Sequence, residues 1–261
     1  MNAGWTIMKM PWLLAAGALF LAGCSDTGTD PKAKPMTNVQ VSFATQAAGT
    51  PAVRMQGAPA ALLDDTLTAG SDTIIVTSAE LVLRKIELRR AGVVSCDSTA
   101  GSDSCEEFDA GPVLIGLPLT GSLSTPFAVD VPADTYSDVE FEIHKVSNSD
   151  PEDAAFLAAH PTFAGTSIRV TGTFNGQMFL YESDLNVTQE LVLVPPLVVD
   201  ATTTATNITV FVDLDGWFRD AAGGLVDPAQ GNKGGAFENL IRDNIKDSIE
   251  AFEDADRDGR R

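Results

Sequence analysis

An acidic run near the C-terminus has the residue types and the spacing of a metal-binding loop. Asp254, Asp256 and Asp258 alternate with other residues, and Gly259 follows them directly. Carboxylate oxygens at the first, third and fifth positions, with glycine at the sixth for a sharp turn, form the opening half of a calcium loop. The backbone carbonyl of Arg260 would supply a fourth ligand. The sequence therefore predicts a weak calcium site and no other cofactor, with a solvated acidic end as the alternative.

Glu140 and Glu142 form a second candidate site. They project from one face of a predicted strand, about 7 Å apart, which is within the range of the carboxylate pairs that hydrolyse glycosides. Acids that alternate along a solvated strand face are common, however, and Trp217 is the only tryptophan after residue 23 that could stack on a sugar. A hydrolase of extracellular carbohydrate is therefore kept as the alternative function.

Other catalytic signatures are absent from the sequence. It contains no Gly-x-Ser-x-Gly, no phosphate loop, no dinucleotide fingerprint and no His-Glu-x-x-His. We expect His144, on the polar face of a strand, and His160, at a helix end, to be surface histidines rather than bases or ligands. No catalytic residue is predicted, and the chain is expected not to be an enzyme.

Composition and charge exclude several classes of protein. The chain has 261 residues, is 44% hydrophobic and carries 36 acidic against 17 basic residues, a net charge of −19. This composition is globular. Because so acidic a chain cannot release counterions from a phosphate backbone, nucleic acid is not a predicted partner. Two histidines and three cysteines are also too few for the usual nitrogen and sulfur clusters of catalytic transition metals.

The N-terminus has the pattern of a targeting segment. Lys9 precedes an apolar stretch at residues 10–21, which has the length of a signal-peptide core and is shorter than a membrane span. The stretch closes on Leu21-Ala22-Gly23-Cys24, which resembles the lipobox of bacterial lipoproteins. The resemblance implies cleavage before Cys24 and a diacylglycerol on its thiol. In the resemblance to Gram-negative lipoproteins, Ser25 rather than aspartate at the next position implies export to the outer membrane.

Lipidation of Cys24 would leave Cys96 and Cys105, which are separated by eight residues rich in serine and glycine. In an oxidising compartment, a disulfide across this loop would stabilise the fold by roughly 2.5 kcal/mol. Free or redox-active thiols are the alternative, although no Cys-x-x-Cys spacing is present.

The remaining pattern predicts one domain on a tether. We assign residues 1–23 to a signal peptide, 24–37 to the lipidated cysteine and a flexible tether, and 38–261 to the domain. Eight to ten short alternating segments predict a single antiparallel β-sandwich. Asn175-Gly176 predicts a hairpin, and Asp150-Pro151 predicts the start of a short internal helix. The stretch from residue 78 to 90 is predicted to form a strand with a bulge at Arg84-Lys85, with a helix as the alternative.

Near the C-terminus the hydrophobic period changes. From about residue 236, apolar residues recur every three or four positions as far as Phe252. This spacing predicts an amphipathic helix of about four turns that covers the sandwich, with a docking helix for another protein as the alternative.

Two weaker resemblances add to this description. The runs at residues 78–83 and 131–136 resemble uncharacterised bacterial lipoproteins that carry one β-sandwich of unknown function, which implies a fold and a location but no activity. Residues 254–259 resemble the first half of EF-hand and dockerin loops, without the acid at the twelfth position.

Together these patterns predict a lipoprotein of the bacterial cell envelope, anchored to the outer membrane through Cys24. Its domain is expected to be a non-catalytic binding or structural module. Besides the membrane, a protein or a glycan is the expected class of partner.

Overall fold

Alternating apolar and polar residues produce a mainly β fold. The computed structural model describes residues 36–45, 65–93, 105–109, 111–119, 122–200, 202–203 and 205–259. Within these ranges the strands are β1 (Met36–Ala44), β2 (Asp65–Ala69), β3 (Asp72–Arg90), β4 (Cys105–Asp109), β5 (Val113–Gly116), β6 (Ser124–Pro132), β7 (Asp134–Ile143), β8 (Ile168–Phe174), β9 (Gln177–Ser183), β10 (Val187–Val199), β11 (Ala205–Val212) and β12 (Ile249–Glu253). The helices are α1 (Ala154–Ala159), α2 (Leu214–Trp217) and α3 (Glu238–Asp247), with 3-10 turns at Pro151–Asp153, Pro161–Phe163 and Pro228–Gly231. None of the helices in these ranges is long and apolar enough to cross a lipid bilayer.

The strands pair into two sheets, which confirms the predicted β-sandwich. The smaller sheet has the order β12-β11-β1-β6, and the larger has the order β10-β7-β3-β8-β9, with β2, β4 and β5 also paired to β3. The pairs are antiparallel except β1 and β11, which run parallel from Asn38↔Ala205 to Ala44↔Phe211. The described strands therefore exceed the predicted eight to ten, and the predicted all-antiparallel arrangement has one exception. β1 also begins two residues before the predicted boundary at residue 38.

β3 organises the larger sheet. It runs for 19 residues and pairs with five of the other described strands. Its register against β7 shifts between Arg84 and Glu87, and Lys85 there has φ 51°. The prediction of a strand with a bulge at Arg84-Lys85 is thus confirmed over the helical alternative. A bulge of this kind bends the strand and allows one segment to serve two sets of neighbours.

Two other predicted elements are confirmed, the hairpin turn between β8 and β9 and the turn that begins after Asp150. Asn175 and Gly176 have φ values of 49° and 80°, which fits the hairpin turn that joins β8 to β9. The Asp150 side chain accepts a hydrogen bond from the Glu152 backbone N–H at 3.0 Å, and Pro151 occupies the first position of the following turn. The conformation of these turns therefore depends only on residues that are close in the sequence.

The core lies between the two sheets. Val41 of β1 and Val210 of β11 belong to the same buried cluster as Leu83 of β3 and Phe141 of β7. Complete burial of one such side chain stabilises a fold by about 1.5–3 kcal/mol. Trp217 of α2 is fully buried in the same cluster.

The predicted C-terminal helix is present but shorter than expected. α3 ends at Asp247, and the next residues form β12. Ile249 and Ala251 are buried whereas Glu250 between them is exposed, so this stretch has the period of a strand. β12 pairs with β11 and satisfies backbone groups that a longer helix would leave unpaired.

Candidate functional site

The C-terminal acidic run folds into a loop anchored by its first acid. Asp254 follows β12 and is only 2% exposed. Its carboxylate accepts hydrogen bonds from Thr209 Oγ1 at 2.6 Å and from the backbone N–H groups of Asp258 and Gly259, each at 3.0 Å. Burial of this acid is therefore compensated by hydrogen bonds from the loop and from β11.

This anchor continues into a buried polar network across the smaller sheet. Ser42 Oγ donates to Asn207 Oδ1 at 2.7 Å, and Asn207 Nδ2 donates to Thr209 Oγ1 at 3.0 Å. Asn207 and Thr209 alternate with the core residue Ile208, so they lie on the face of β11 that points away from the core. The network connects the acidic loop to β1 and β11.

The other two acids complete the predicted cluster. Asp256 and Asp258 are exposed, and they and Asp254 each offer a carboxylate oxygen within 4.8 Å of the others. The sharp turn is present, since Gly259 has φ 72°. Arg260, the predicted carbonyl ligand, lies outside the described residues. The structure thus brings together the three predicted carboxylates, and calcium binding by them stays a prediction.

In the pair of Glu140 and Glu142, the contacts of Glu142 hold its carboxyl as an ion. Glu142 is 9% exposed. It accepts hydrogen bonds from Arg84 Nε at 2.7 Å and from Asn186 Nδ2 at 3.0 Å. Burial opposes ionisation of Glu142, but the hydrogen bond and charge of Arg84 outweigh it and lower the pKa of the carboxyl. A general acid in glycoside hydrolysis requires the opposite shift, so Glu142 lacks the pKa of that acid, whereas the second carboxylate of such a pair works as an ion.

Glu140 belongs to a row of carboxylates across the larger sheet. Direct register partners on β4, β3, β7 and β10 place four acids side by side, namely Glu107, Glu87, Glu140 and Glu190. Ion pairs flank the row on both sides, Arg84 with Glu142 and Arg89 with Asp138. Glu107 and Glu190 at the ends of the row are exposed, whereas Glu142, Arg89 and Asp138 beside it are buried, so opposite charges on neighbouring strands pair across this face.

His144 lies in a buried cluster that the sequence did not reveal. It comes directly after β7 and is 3% exposed, and its Nε2 donates to Asp153 Oδ1 at 2.7 Å. Asp153 is fully buried, and its other oxygen accepts from the Ser147 backbone N–H at 2.7 Å. The prediction of a surface position for His144 is therefore wrong.

The burial of His144 has a tertiary cause. The segment that contains α1 packs against the face of β3 opposite the main core and forms a second apolar cluster with members Val82, Val146, Phe156 and Phe163. His144 donates its backbone N–H to the Val82 carbonyl at 2.9 Å, beside this cluster. His160 is half-buried at the end of α1, with its ring 4.7 Å from that of Phe156. No periodicity in the sequence marks β7 as covered at this point.

One ring nitrogen of His144 is left without a partner. Nδ1 is buried and makes no hydrogen bond to any residue that the structure describes, and it lies 3.8 Å from Glu142 Oε1. His144, Asp150 and Asp153 offer ligand atoms that all lie within 4.8 Å of one another. This cluster has the donor types of a metal site, one imidazole and two carboxylates.

A shallow depression on the larger sheet has no catalytic groups in its lining. It lies over β8 and β9, and its lining includes Thr171, Thr173, Met178 and Leu180 without any charged residue or histidine. Met178 there is 91% exposed. The depression is apolar and lacks the convergent polar groups of an enzyme site.

The predicted cysteine sites lie largely outside the described residues. Cys105 is the first residue of β4, whereas Cys96, Cys24 and the leader at residues 1–23 are not among the described residues. The bridge between Cys96 and Cys105 stays a prediction, and the intact mass of the unreduced protein tests it through the loss of two protons.

Comparison with protein-family models, with curated proteins and with solved structures finds no match to this chain.

Proposed function

We propose that this chain is a lipid-anchored protein of the bacterial cell envelope whose β-sandwich acts as a non-catalytic binding or structural module. The observation that carries the proposal is the run Leu21-Ala22-Gly23-Cys24 at the end of the apolar stretch 10–21. A cysteine directly after small residues distinguishes a lipidation signal from an ordinary secretory one.

The charge of the mature chain is compatible with such an anchor. Cleavage before Cys24 would remove one lysine and leave 16 basic against 36 acidic residues. Electrostatic attraction to an anionic membrane would then be absent, so the acyl chains must provide the binding. Each buried methylene contributes about 0.8 kcal/mol, and several chains on one cysteine together hold a protein on a bilayer.

The contacts of Glu142 argue against its use as the general acid of a hydrolase, which supports a non-catalytic role for the domain. Glu142 is bound to Arg84 and has a lowered pKa, and Glu140 lies in a row of acids on a salt-bridged sheet face. The apolar depression over β8 and β9 offers contact surface rather than acid-base groups. A protein or a glycan is the class of partner that this surface fits, alongside the membrane reached through the anchor.

Membrane association tests the anchor. In a Gram-negative host, the unaltered chain should incorporate labelled palmitate and sediment with the outer membrane. Cys24→Ser should lose both the label and the sedimentation, whereas the matched variant Ser25→Ala should keep both. Membrane binding of Cys24→Ser after a high-salt wash would contradict the proposal. Ser25→Asp should shift the protein to the inner membrane.

A second assay separates the module from the hydrolase. The purified protein should release no reducing sugar from a panel of envelope and extracellular polysaccharides. Release that disappears in Glu140→Gln or Glu142→Gln, while Glu152→Gln keeps it, would establish the hydrolase instead.

A further inference from the structure

We infer that His144, Asp150 and Asp153 form a binding site for a divalent first-row transition metal, with zinc as the ion that matches the donors best. The site lies where β7 leads into the 3-10 turn Pro151–Asp153. It is separate from the acidic loop at residues 254–259 and differs from it in having a nitrogen ligand.

The charge of the cluster favours a divalent cation. Glu142, Asp150 and Asp153 carry three negative charges, and Arg84 is the cation that contacts two of them, at 2.7 Å from Glu142 and 3.4 Å from Asp150. With a neutral imidazole the group has two uncompensated negative charges in a largely buried place. Unpaired buried charge is costly. A proton on His144 would remove one of these charges, whereas a divalent ion would remove both.

The unpartnered nitrogen of His144 favours a ring whose other nitrogen, Nε2, binds a metal. A carboxylate can only accept, so Nε2 donates its proton to Asp153 in the structure as it stands. In a neutral ring Nδ1 would then be a bare acceptor that faces Glu142 Oε1 at 3.8 Å, an unfavourable pairing. If Nε2 binds a metal instead, the proton moves to Nδ1 and points at Glu142. A metal-bound histidine almost always donates its other N–H to an acceptor such as a carboxylate, which orients the ring.

Only a small rearrangement is needed to bind the ion. Zinc ligands at about 2.0–2.1 Å from the metal lie about 3.3 Å from one another in a tetrahedral site. His144 Nε2 and Asp153 Oδ1 are already 2.7 Å apart, and the ligand atoms of all three residues lie within 4.8 Å of one another. Asp150 would have to approach by no more than about 1.5 Å, and its side chain is 31% exposed on a loop. Three protein ligands would leave the fourth position open to water or to an exogenous group.

The two histidines of this chain allow a direct test by nuclear magnetic resonance. Full-length protein labelled with ¹⁵N-histidine, purified in detergent and stripped by a chelator, should show both ring nitrogens of His144 shift on addition of zinc and saturate at one equivalent. His160 should not shift, because it is not one of the residues whose ligand atoms cluster and its ring packs on Phe156. If zinc at a saturating concentration leaves the His144 signals unchanged, the proposal is wrong. The same holds if the ring remains an imidazolium throughout the titration.

Matched variants assign the ligands. Competition against a chelating dye should show zinc binding at least 10-fold weaker in Asp150→Asn and at least 100-fold weaker in His144→Gln. Glu142→Gln should weaken it by 10- to 100-fold, because Glu142 orients the ring. Glu152→Gln, an exposed acid on the same turn, should stay within twofold.

Asp150→Asn is the decisive variant, since its amide oxygen can still accept from the Glu152 N–H and preserve the turn. Circular dichroism verifies that it is folded. Unchanged zinc affinity in folded Asp150→Asn would overturn the site. Zinc binding that is lost in Asp256→Ala rather than in Asp150→Asn would place the ion at the C-terminal loop and also overturn it.

Discussion

The Asp184 carboxylate should be a major electrostatic contribution to the stability of this domain. Asp184 directly follows β9 and accepts hydrogen bonds from Arg242 of α3, from Lys145 Nζ at 3.1 Å and from Lys233 Nζ at 3.4 Å. Burial of the carboxyl opposes its ionisation, but the hydrogen bonds from Arg242 and Lys145 outweigh that effect and lower its pKa to about 2 from an ordinary 3.8. The perturbation we consider is Asp184→Asn, which removes the charge at nearly constant volume.

The lowered pKa gives the magnitude of the effect. A shift of this size corresponds to at most about 2 kcal/mol, at 1.36 kcal/mol per pKa unit, because solvent screens the contributions of Lys145 and Lys233, which are 40% and 80% exposed. Because the folded pKa lies below the unfolded one, this stabilisation is complete above about pH 4. It is lost as the pH falls through the folded pKa of about 2. For a domain of this size, 2 kcal/mol corresponds to a change of about 4–8 °C in melting temperature.

The assay is urea unfolding of both proteins in steps from pH 7 to pH 2.5. Asp184→Asn should be less stable by up to about 2 kcal/mol at pH 7, and because pH 2.5 still lies above the folded pKa of about 2, the difference should fall there to about a third of that value. Asp243→Asn is the control, because Asp243 is 66% exposed in its pair with Lys246 and should change stability by less than about 0.5 kcal/mol. A difference that is the same at pH 2.5 as at pH 7 would refute the electrostatic explanation, and so would a loss no larger than that of the control.

Three further predictions concern single positions. Ser248→Ala should lower the free energy of unfolding in urea by about 1–3 kcal/mol. The reason is that Trp217 Nε1 donates to Ser248 Oγ at 2.7 Å and would be left buried and unpaired. A decrease below about 0.5 kcal/mol would contradict this. Gly172→Ala should lower the melting temperature and reduce the free energy of unfolding by about 1–3 kcal/mol or more, since its Cβ would lie 2.1 Å from the Ile75 carbonyl oxygen. An unchanged melting temperature would contradict this, because it would mean that β3 and β8 move apart at little cost. Millimolar calcium should raise the melting temperature of the unaltered protein more than that of Asp256→Ala, and equal shifts would show that the acidic loop is only a solvated end.

Sequence alone determined the elements whose conformation depends on immediate neighbours. The turn at Asn175-Gly176 and the cap at Asp150 follow from backbone preferences and from hydrogen bonds across two or three residues. Alternation of apolar and polar residues at period two was likewise enough to predict a β-sandwich, because it indicates which face of each strand is buried. The three acids of the C-terminal loop could be grouped for the same reason, since five consecutive residues contain them all.

The end of the C-terminal helix required the tertiary structure. Apolar residues at Ile241, Ile245, Ile249 and Phe252 fit a helical period throughout, so the pattern holds no signal to stop. The switch to β12 depends on β11, a strand whose edge is completed by this segment. The parallel pairing of β11 with β1 joins segments that are more than 150 residues apart in the sequence. No local sequence pattern can indicate such a pairing.

The chemistry of the strand β7 was also decided by tertiary structure alone. Glu142 and His144 occupy the alternating positions of a solvated face, and their sequence pattern is that of exposed residues. The packing of α1 and its flanking turns over part of this face buries His144 against Asp153, and Arg84 from the neighbouring strand holds Glu142 as an ion. Burial and partner choice shift pKa values and create donor clusters, and both depend on which segments pack together in space rather than on residue spacing along the chain.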